Sequence, residues 1–509
     1  MEAGFGRADI TVWERGMPML GWGREDNVSL GVEAPLYARA LAVRSAGRTA
    51  VYVCADLCFI AAGLRVAVEE ALQETLGDRV HPADLLLTAT HTHSGPAGYS
   101  HAFFYDLSGP GFSRRVFDGL VRGIVRAIED AVAALAPARL RLATGFVPGA
   151  EPVAFNRSPG AHRRNRDAHA EDVDREMLVL DTGRGVISFF ALHATSVHGD
   201  GTRLHPDHKG LACEAYEAAR GVPAIFAQGA AGDVTPNYRW SEARGVTVGR
   251  HDDDLDSASY VADVQVRTAG VIAMTEGLRL DGPVGGALRR VDLERCPTTR
   301  GPTTIGRLGV AMAQGTAEGP GPLAPFAPLV RRFPGKATLL EIGPHRPRRL
   351  FGLLDPARLH LDHPAFAHTR RVSAAGGLDG QPWIPTILPV QLWRVGAFCI
   401  AALPNEPTTM VGRRLRARLE AALAPHGVRR VHVQGYANAY AGYLTTPEEY
   451  GAQRYEGAYT LFGPRSYEAF ADSLEALVPD LLDEAPRESG PALQRCSPTQ
   501  LKARAWRGP

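Results

Sequence analysis

Leu85-Leu86-Leu87-Thr88-Ala89-Thr90-His91-Thr92-His93-Ser94-Gly95-Pro96 is an apolar run that stops at two histidines one residue apart. The run reads as a buried strand of an α/β sheet. Side chains alternate across a strand, so His91 and His93 are expected to point the same way, and the Gly-Pro turn places them at the carboxyl end, where clefts form. Neutral imidazole is the commonest zinc ligand, and on spacing alone both histidines are candidate ligands. The plain alternative is a hydrogen-bonded pair at a strand end.

Working outward, short apolar runs at 40–43, 50–54, 178–180, 186–193 and 224–227 read as further strands. Residues 66–76, 116–135 and 211–219 carry helical periodicity. This alternation predicts an α/β chain with mixed β-sheets stacked in the core, helices outside and a zinc site at strand ends. Residues 296–330, rich in Gly, Pro and Thr, read as surface loop with one short helix at 304–314; 388–403 reads as strand and 408–423 as helix. No internal repeat and no linker stands out. The expected organisation is one catalytic domain over 1–485 and a tail over 486–509, either flexible or a loosely docked arm.

Composition bounds the function classes. The 509 residues are 45% hydrophobic and 22% charged with a formal net charge of +1, so no global field steers a polyanion and nucleic acid is not an expected partner. The six cysteines include no C-x-x-C pair, which argues against a disulfide framework or a thiolate zinc site. The N-terminus lacks a basic stretch followed by an apolar one, and no apolar run approaches the ~20 residues of a membrane helix. A cytoplasmic protein without a transmembrane segment is the expectation.

Four further segments read as strand ends or turns that carry chemistry. Ser188-Phe189-Phe190-Ala191-Leu192-His193 is an apolar strand ending in histidine. Phe226-Ala227-Gln228-Gly229-Ala230-Ala231-Gly232-Asp233-Val234-Thr235-Pro236-Asn237 is a strand feeding a glycine-rich turn with an aspartate and a hydroxyl. Ala401-Ala402-Leu403-Pro404-Asn405-Glu406-Pro407-Thr408 sets a glutamate between strand and helix, and Tyr440-Ala441-Gly442-Tyr443-Leu444-Thr445 leads into Gln453-Arg454-Tyr455-Glu456-Gly457.

In this order these segments resemble the neutral/alkaline, non-lysosomal ceramidase family, zinc amidases that cleave the N-acyl bond of ceramide. Asn156-Arg157-Ser158-Pro159, Asp207-His208-Lys209-Gly210 and Gly315-Thr316-Ala317-Glu318-Gly319-Pro320-Gly321 extend the likeness over about residues 5–470. The resemblance implies Zn2+ held by His91, His193, Glu406 and Tyr443, with His93 beside the metal. Two imidazoles, a carboxylate and a phenol oxygen suit zinc. A metal-activated water would then attack the amide.

The family's serine in the glycine-rich turn is Thr235 here. Its added methyl crowds the approach of a carbonyl carbon, so Thr235 is expected as a hydrogen-bonding partner and not as a nucleophile. Arg157 and Tyr455 are implied holders of the oxyanion or of the substrate's polar head. The family's secretion signal and C-terminal immunoglobulin-like domain are not evident in the sequence. The basic run Arg157, His162, Arg163, Arg164 and Arg166 predicts a substrate whose head is smaller or more anionic than sphingosine, unless these charges simply face water. The competing classes are an amidohydrolase-type metalloenzyme, whose first barrel strand also ends in H-x-H, an amidase of small non-lipid amides, and a non-catalytic metal-binding relative.

Overall fold

The computed structural model describes residues 1–509 except 108, 110, 168–170, 327–336, 343–348, 352–353, 356–357, 361–362, 484–486 and 509. One supersecondary unit occurs three times in succession. In the first it runs Glu2–Asp9, the hairpin Tyr37–Ser45 with Arg48–Ala55, helix Ala62–Thr75, strand Leu85–Ala89, helix Arg114–Ala133 and the edge strand Ala136–Pro137. The second runs Leu140–Phe146, Glu176–Asp181 with Val186–Phe189, Asp207–Arg220, Ala224–Ala227, Asp254–Ile272 and Leu278–Leu280. The third runs Val284–Asp292, Ile387–Val395 with Phe398–Ala402, Thr409–Leu423, Arg430–Gln434, Ser466–Glu475 and Arg487–Ser489.

Each unit makes one five-stranded sheet with the same order: the strand after the crossover helix, the second hairpin strand, the first, the opening strand and the edge. The crossover strand is parallel to its hairpin neighbour in all three sheets, as a helical crossover requires. The sheets meet along one shared core in which Leu41 and Tyr52 of the first, Leu178 and Phe189 of the second and Trp393 and Ile400 of the third are packed together. Helices cover the outer faces. The hairpin strands of every sheet are therefore largely dry on both faces, which is why they read as unbroken apolar runs.

These open mixed sheets bear out the α/β expectation and replace the barrel of eight βα units that the amidohydrolase alternative needs. The repeat was not visible in the sequence, and neither were the opening strands. Their glycines explain this. A Cβ on Gly4 or Gly6 would lie 2.3 or 2.1 Å from backbone oxygens of the helix Arg114–Ala133, and one on Gly145 would lie 2.5 Å from Ile272 of Asp254–Ile272. Glycine lets the covering helix sit flush on the strand and at the same time weakens the strand's sequence signal.

Other boundaries differ from expectation in informative ways. The 388–403 run is the hairpin Ile387–Val395 with Phe398–Ala402, turned at Gly396 with φ +57°. Within 296–330 the short helix is Val310–Gln314, preceded by strand Gly306–Gly309, while residues 327–330 lie outside the described ones. Of the two expectations for the tail, its described residues follow the docked arm. Arg487–Ser489 adds a parallel strand to the third sheet, and Ser497 caps the helix Pro498–Ala503 in a reciprocal capping box. Beyond it the fully buried Arg504 pairs with buried Asp106 at 2.6 Å, an ion pair that would be costly to leave half-made.

Candidate metal centre

Because the crossover strands are parallel to their neighbours, each unit sends two loops past the same carboxyl ends, and the six loops meet. The first unit supplies Cys58 and then His91 and His93, the second His193 and then Thr235, the third Glu406 and then Tyr436, Tyr440 and Tyr443. His91 and His93 do not alternate along a strand as expected, since the strand stops at Ala89. Instead His91 takes φ +66°, a left-handed conformation that non-glycine residues rarely hold, and its N–H donates to Leu57 O at 2.9 Å. Tyr436 and Asn438 across the site are also left-handed, at φ +57° and +64°. Such backbone clusters at functional sites because the surroundings must enforce it.

The imidazoles are oriented from behind. His91 Nδ1 lies 2.6 Å from Cys58 O and His193 Nδ1 lies 2.6 Å from Ala231 O, so both rings donate Nδ1–H to a carbonyl and turn the Nε2 lone pair inward. Both Nε2 atoms converge on Glu406 Oε2, at 3.2 Å from His91 and 2.9 Å from His193. His93 Nε2 stands 3.1 Å from His91 Nε2, and Tyr443 Oη stands 3.4 Å from His193 Nε2. Nitrogen and oxygen acceptors turned toward one another with their other sides pinned are a donor set that fits zinc.

The electrostatics agree. Burial works against a charged His91, but the Glu406 carboxylate and Cys58 outweigh it and push its pKa up to about 10. Burial opposes ionisation of Glu406, yet the two histidines hold its carboxyl well below the usual range. Burial keeps His193 and His93 low, Arg157 adding to the effect on the former and His91 and His193 on the latter. The Glu406 carboxylate thus favours a positive charge at His91, while His193 and His93 are held neutral.

His93 is 8% exposed, more than any of the four expected ligands, and its ring meets the edge of Trp22 at 5.2 Å. A Cβ on Gly21, at φ +137°, would lie 2.4 Å from His93 Cγ, so that glycine gives the ring its place. Arg157 threads into the centre. It donates through Nη2 to Tyr443 Oη at 2.7 Å and Gly232 O at 2.8 Å, through Nη1 to Glu318 at 2.8 Å and through Nε to Glu456 at 3.0 Å. Tyr455 packs edge-on against Tyr443 at 5.4 Å and under the Arg157 guanidinium at 5.5 Å.

All eight expected site residues are therefore brought to one place, but the basic run is not a cluster. Arg157 and His162 point inward and are buried or nearly so, whereas Arg163, Arg164 and Arg166 face solvent from the outside of the turn after Pro159–His162. Sequence reasoning missed Tyr440, which hydrogen-bonds Glu406 Oε1, and Glu318, which accepts from Thr235 Oγ1 at 2.5 Å. Both lie inside segments that carry the resemblance, and only the contacts show their place.

The family model for the neutral/alkaline non-lysosomal ceramidase N-terminal region matches residues 1–472. A neutral ceramidase of Pseudomonas aeruginosa is 34% identical over 511 residues, covering 96% of this chain and 73% of that protein. One of Mycobacterium tuberculosis is 31% identical, covering 99% and 80%. A solved structure of "Ceramidase complexed with C2" superimposes with a TM-score of 0.82 at 31% identity, covering 97% of this chain and 77% of that one. With its six loops, its donor set and a likeness that spans nearly all of its length taken together, the chain belongs to the neutral/alkaline non-lysosomal ceramidase family.

Proposed function

We propose that this protein is a zinc-dependent amidase that hydrolyses the N-acyl bond of a ceramide-like lipid. The observation that carries the reading is the convergence of His91 Nε2 and His193 Nε2 on one oxygen of Glu406, with each Nδ1 tied to a carbonyl. His91, His193, Glu406 and Tyr443 would hold the metal. When bound, zinc supplies Lewis acidity toward an amide carbonyl and toward water at neutral pH.

The chain's own residues do the positioning. Arg157 fixes the Tyr443 phenol and, with Tyr455 over its guanidinium, closes one wall of the site. Thr235 sets a hydroxyl beside the centre, tied through Glu318 to Arg157, and its β-branch restricts χ1. His93, packed edge-on against Trp22, bounds another side of the centre. With Arg163, Arg164 and Arg166 in solvent and Arg157 already paired with Glu318 and Glu456, the basic run does not support an anionic head, so the name shared by the relatives guides the substrate class.

The test is to load purified protein with zinc and assay N-acyl sphingosines, N-acyl amino acids and N-acyl amines side by side. N-acyl sphingosine should be the preferred substrate, with activity lost to a chelator and restored by zinc. Preference for every N-acyl amino acid over every N-acyl sphingosine would overturn the lipid assignment. Undiminished turnover after complete removal of metal would overturn the zinc assignment.

A further inference from the structure

We propose that Glu318 is a positioning residue that sets the hydrogen-bond polarity of Thr235, so that the hydroxyl meets substrate or water as an acceptor and not as a donor. The proposal rests on the amidase reading above and deepens it.

Proton counting carries the argument. A threonine hydroxyl has one proton and two lone pairs, and an ionised carboxylate can only accept. Glu318 Oε2 lies 2.5 Å from Thr235 Oγ1 and also takes Asn237 Nδ2 at 2.9 Å and Thr195 Oγ1 at 3.3 Å, while its Oε1 takes Arg157 Nη1 at 2.8 Å. Four donors on a buried carboxylate favour its ionised form. Burial opposes that form, but Arg157 and then the Thr235 hydroxyl prevail and hold the carboxyl below its usual range. The Thr235 proton is therefore committed to Glu318. One lone pair of Oγ1 accepts from Asn237 N at 3.1 Å, which leaves one lone pair for an O–H or N–H donor. An oxyanion, which needs a donor, is not served by Thr235.

Glu318 is delivered on a turn that has little room to move. Gly315, at φ +72°, has no space for a Cβ, which would lie 2.1 Å from Gly319 O, and a Cβ on Gly319 would lie 2.8 Å from the Trp22 ring. Thr247 N donates to Ala317 O at 2.9 Å, tying the residue before Glu318 to the second unit. Through Glu318 and Arg157 an unbroken chain of hydrogen bonds runs from Thr235 to the Tyr443 phenol. The carboxylate thus orients two groups of the site without itself being among the expected ligands.

The experiment is a cycle of E318Q, T235V and the double variant, measured in zinc-loaded protein against the best amide of the panel. An amide side chain must present N–H either to Arg157 or to Thr235 and Asn237, so E318Q cannot keep all four donors satisfied. It should lower kcat by roughly 10–100-fold with KM changed less than about threefold and metal content unchanged. The double variant should fall no further than T235V alone, because both changes remove one oriented lone pair. E318D, which keeps an acceptor-only group, should recover part of the loss, and it stands in if E318Q does not fold. Full kcat in E318Q, or losses that multiply in the double variant, would overturn the proposal.

The unfolding midpoints of the same variants separate this proposal from the function reading. A parent that cleaves no amide would overturn the amidase reading, but the Thr235–Glu318 coupling must still appear as non-additive midpoint shifts. Additive shifts would overturn the polarity proposal whatever the substrate.

Discussion

Two buried clusters of histidine and carboxylate stand on neighbouring loops: His91, His193 and Glu406 in one, His162, Asp233 and Glu449 in the other. In both, the candidate ligand atoms lie within 4.8 Å of one another. What differs is who already holds the oxygens. Asp233 accepts Thr409 N at 2.7 Å, Thr409 Oγ1 at 2.9 Å and Asn156 Nδ2 at 2.7 Å. Glu449 accepts Thr408 Oγ1 at 2.6 Å, Thr446 N at 3.1 Å and Asn165 Nδ2 at 3.0 Å. The second cluster is a knot closed by protein donors, tying the helix Thr409–Leu423 to the loops around it. In the first, Tyr440 and Tyr436 donate to Glu406, yet Oε2 still faces both imidazole Nε2 atoms and no backbone N–H reaches the carboxylate among the described residues. Residue types alone do not separate a metal centre from a structural knot; the supply of donors does.

The charge states follow the same division. Glu406 is held low by His91 and His193 against burial, whereas burial, with Asp233 beside it, pushes Glu449 up to about 7. The largest expected effect therefore belongs to the first cluster. A variant carrying His91→Ala and His193→Ala should lose zinc and reduce turnover to background, while parent protein binds one equivalent per chain. Elemental analysis giving two equivalents in the parent, or full occupancy in the double variant, would break the contrast.

Next comes the knot. Asp233→Asn turns an acceptor into a donor facing Asn156 Nδ2 or Thr409, and the mismatch should cost about 1–3 kcal/mol of stability. Metal content should stay at one equivalent. Loss of zinc without loss of stability, read by denaturant titration and elemental analysis together, would show that Asp233 belongs to the metal centre after all.

The pH dependence sharpens the difference further. A carboxyl whose folded pKa lies above its unfolded value near 4.3 favours the fold in its protonated form, so its contribution is complete below about pH 4 and is lost as pH rises through about 7. Parent protein should therefore lose on the order of 3 kcal/mol relative to Glu449→Gln between those values. Denaturant midpoints of the pair across pH 4–8 measure it. A gap that does not change with pH would mean that Glu449 is ionised throughout.

How much of this was legible in the sequence depended on whether a residue's role was local. His91, His193, Glu406, Tyr443 and Thr235 sit at strand ends inside recognisable segments, and the structure gathers them. Glu318 and Tyr440 were quoted without a role because their function lies wholly in contacts 83 and 34 residues away. The threefold repeat was hidden for another reason. The opening strands share glycines, Gly4 and Gly6 in Glu2–Asp9, Gly145 in Leu140–Phe146 and Gly285 and Gly286 in Val284–Asp292, but set them among otherwise unlike side chains. Asp207, His208 and Lys209, polar yet buried, likewise concealed the start of the helix Asp207–Arg220. Lys209 Nζ reaches Phe190 O, Ala227 O and Gln265 Oε1, tying together the two strand ends that lead to His193 and Thr235.

The smallest effect is expected where the sequence promised a substrate clamp. His162 and Asn165 turn inward, Asn165 bridging Glu449 and Thr446, while Arg163 and Arg164 on the same turn face solvent. A charge in water is screened within about 10 Å at 0.1 M salt, and surface substitutions of this kind usually shift stability by no more than about 0.5 kcal/mol. Reversing both, as Arg163→Glu with Arg164→Glu, should therefore change kcat/KM less than about twofold for neutral and anionic amides alike, with no added dependence on salt. A rise in KM confined to anionic substrates and fading at high salt would restore the clamp. It would also place a third functional layer on the outer side of the knot, over His162, and the division between a metal centre and a purely structural cluster would no longer hold.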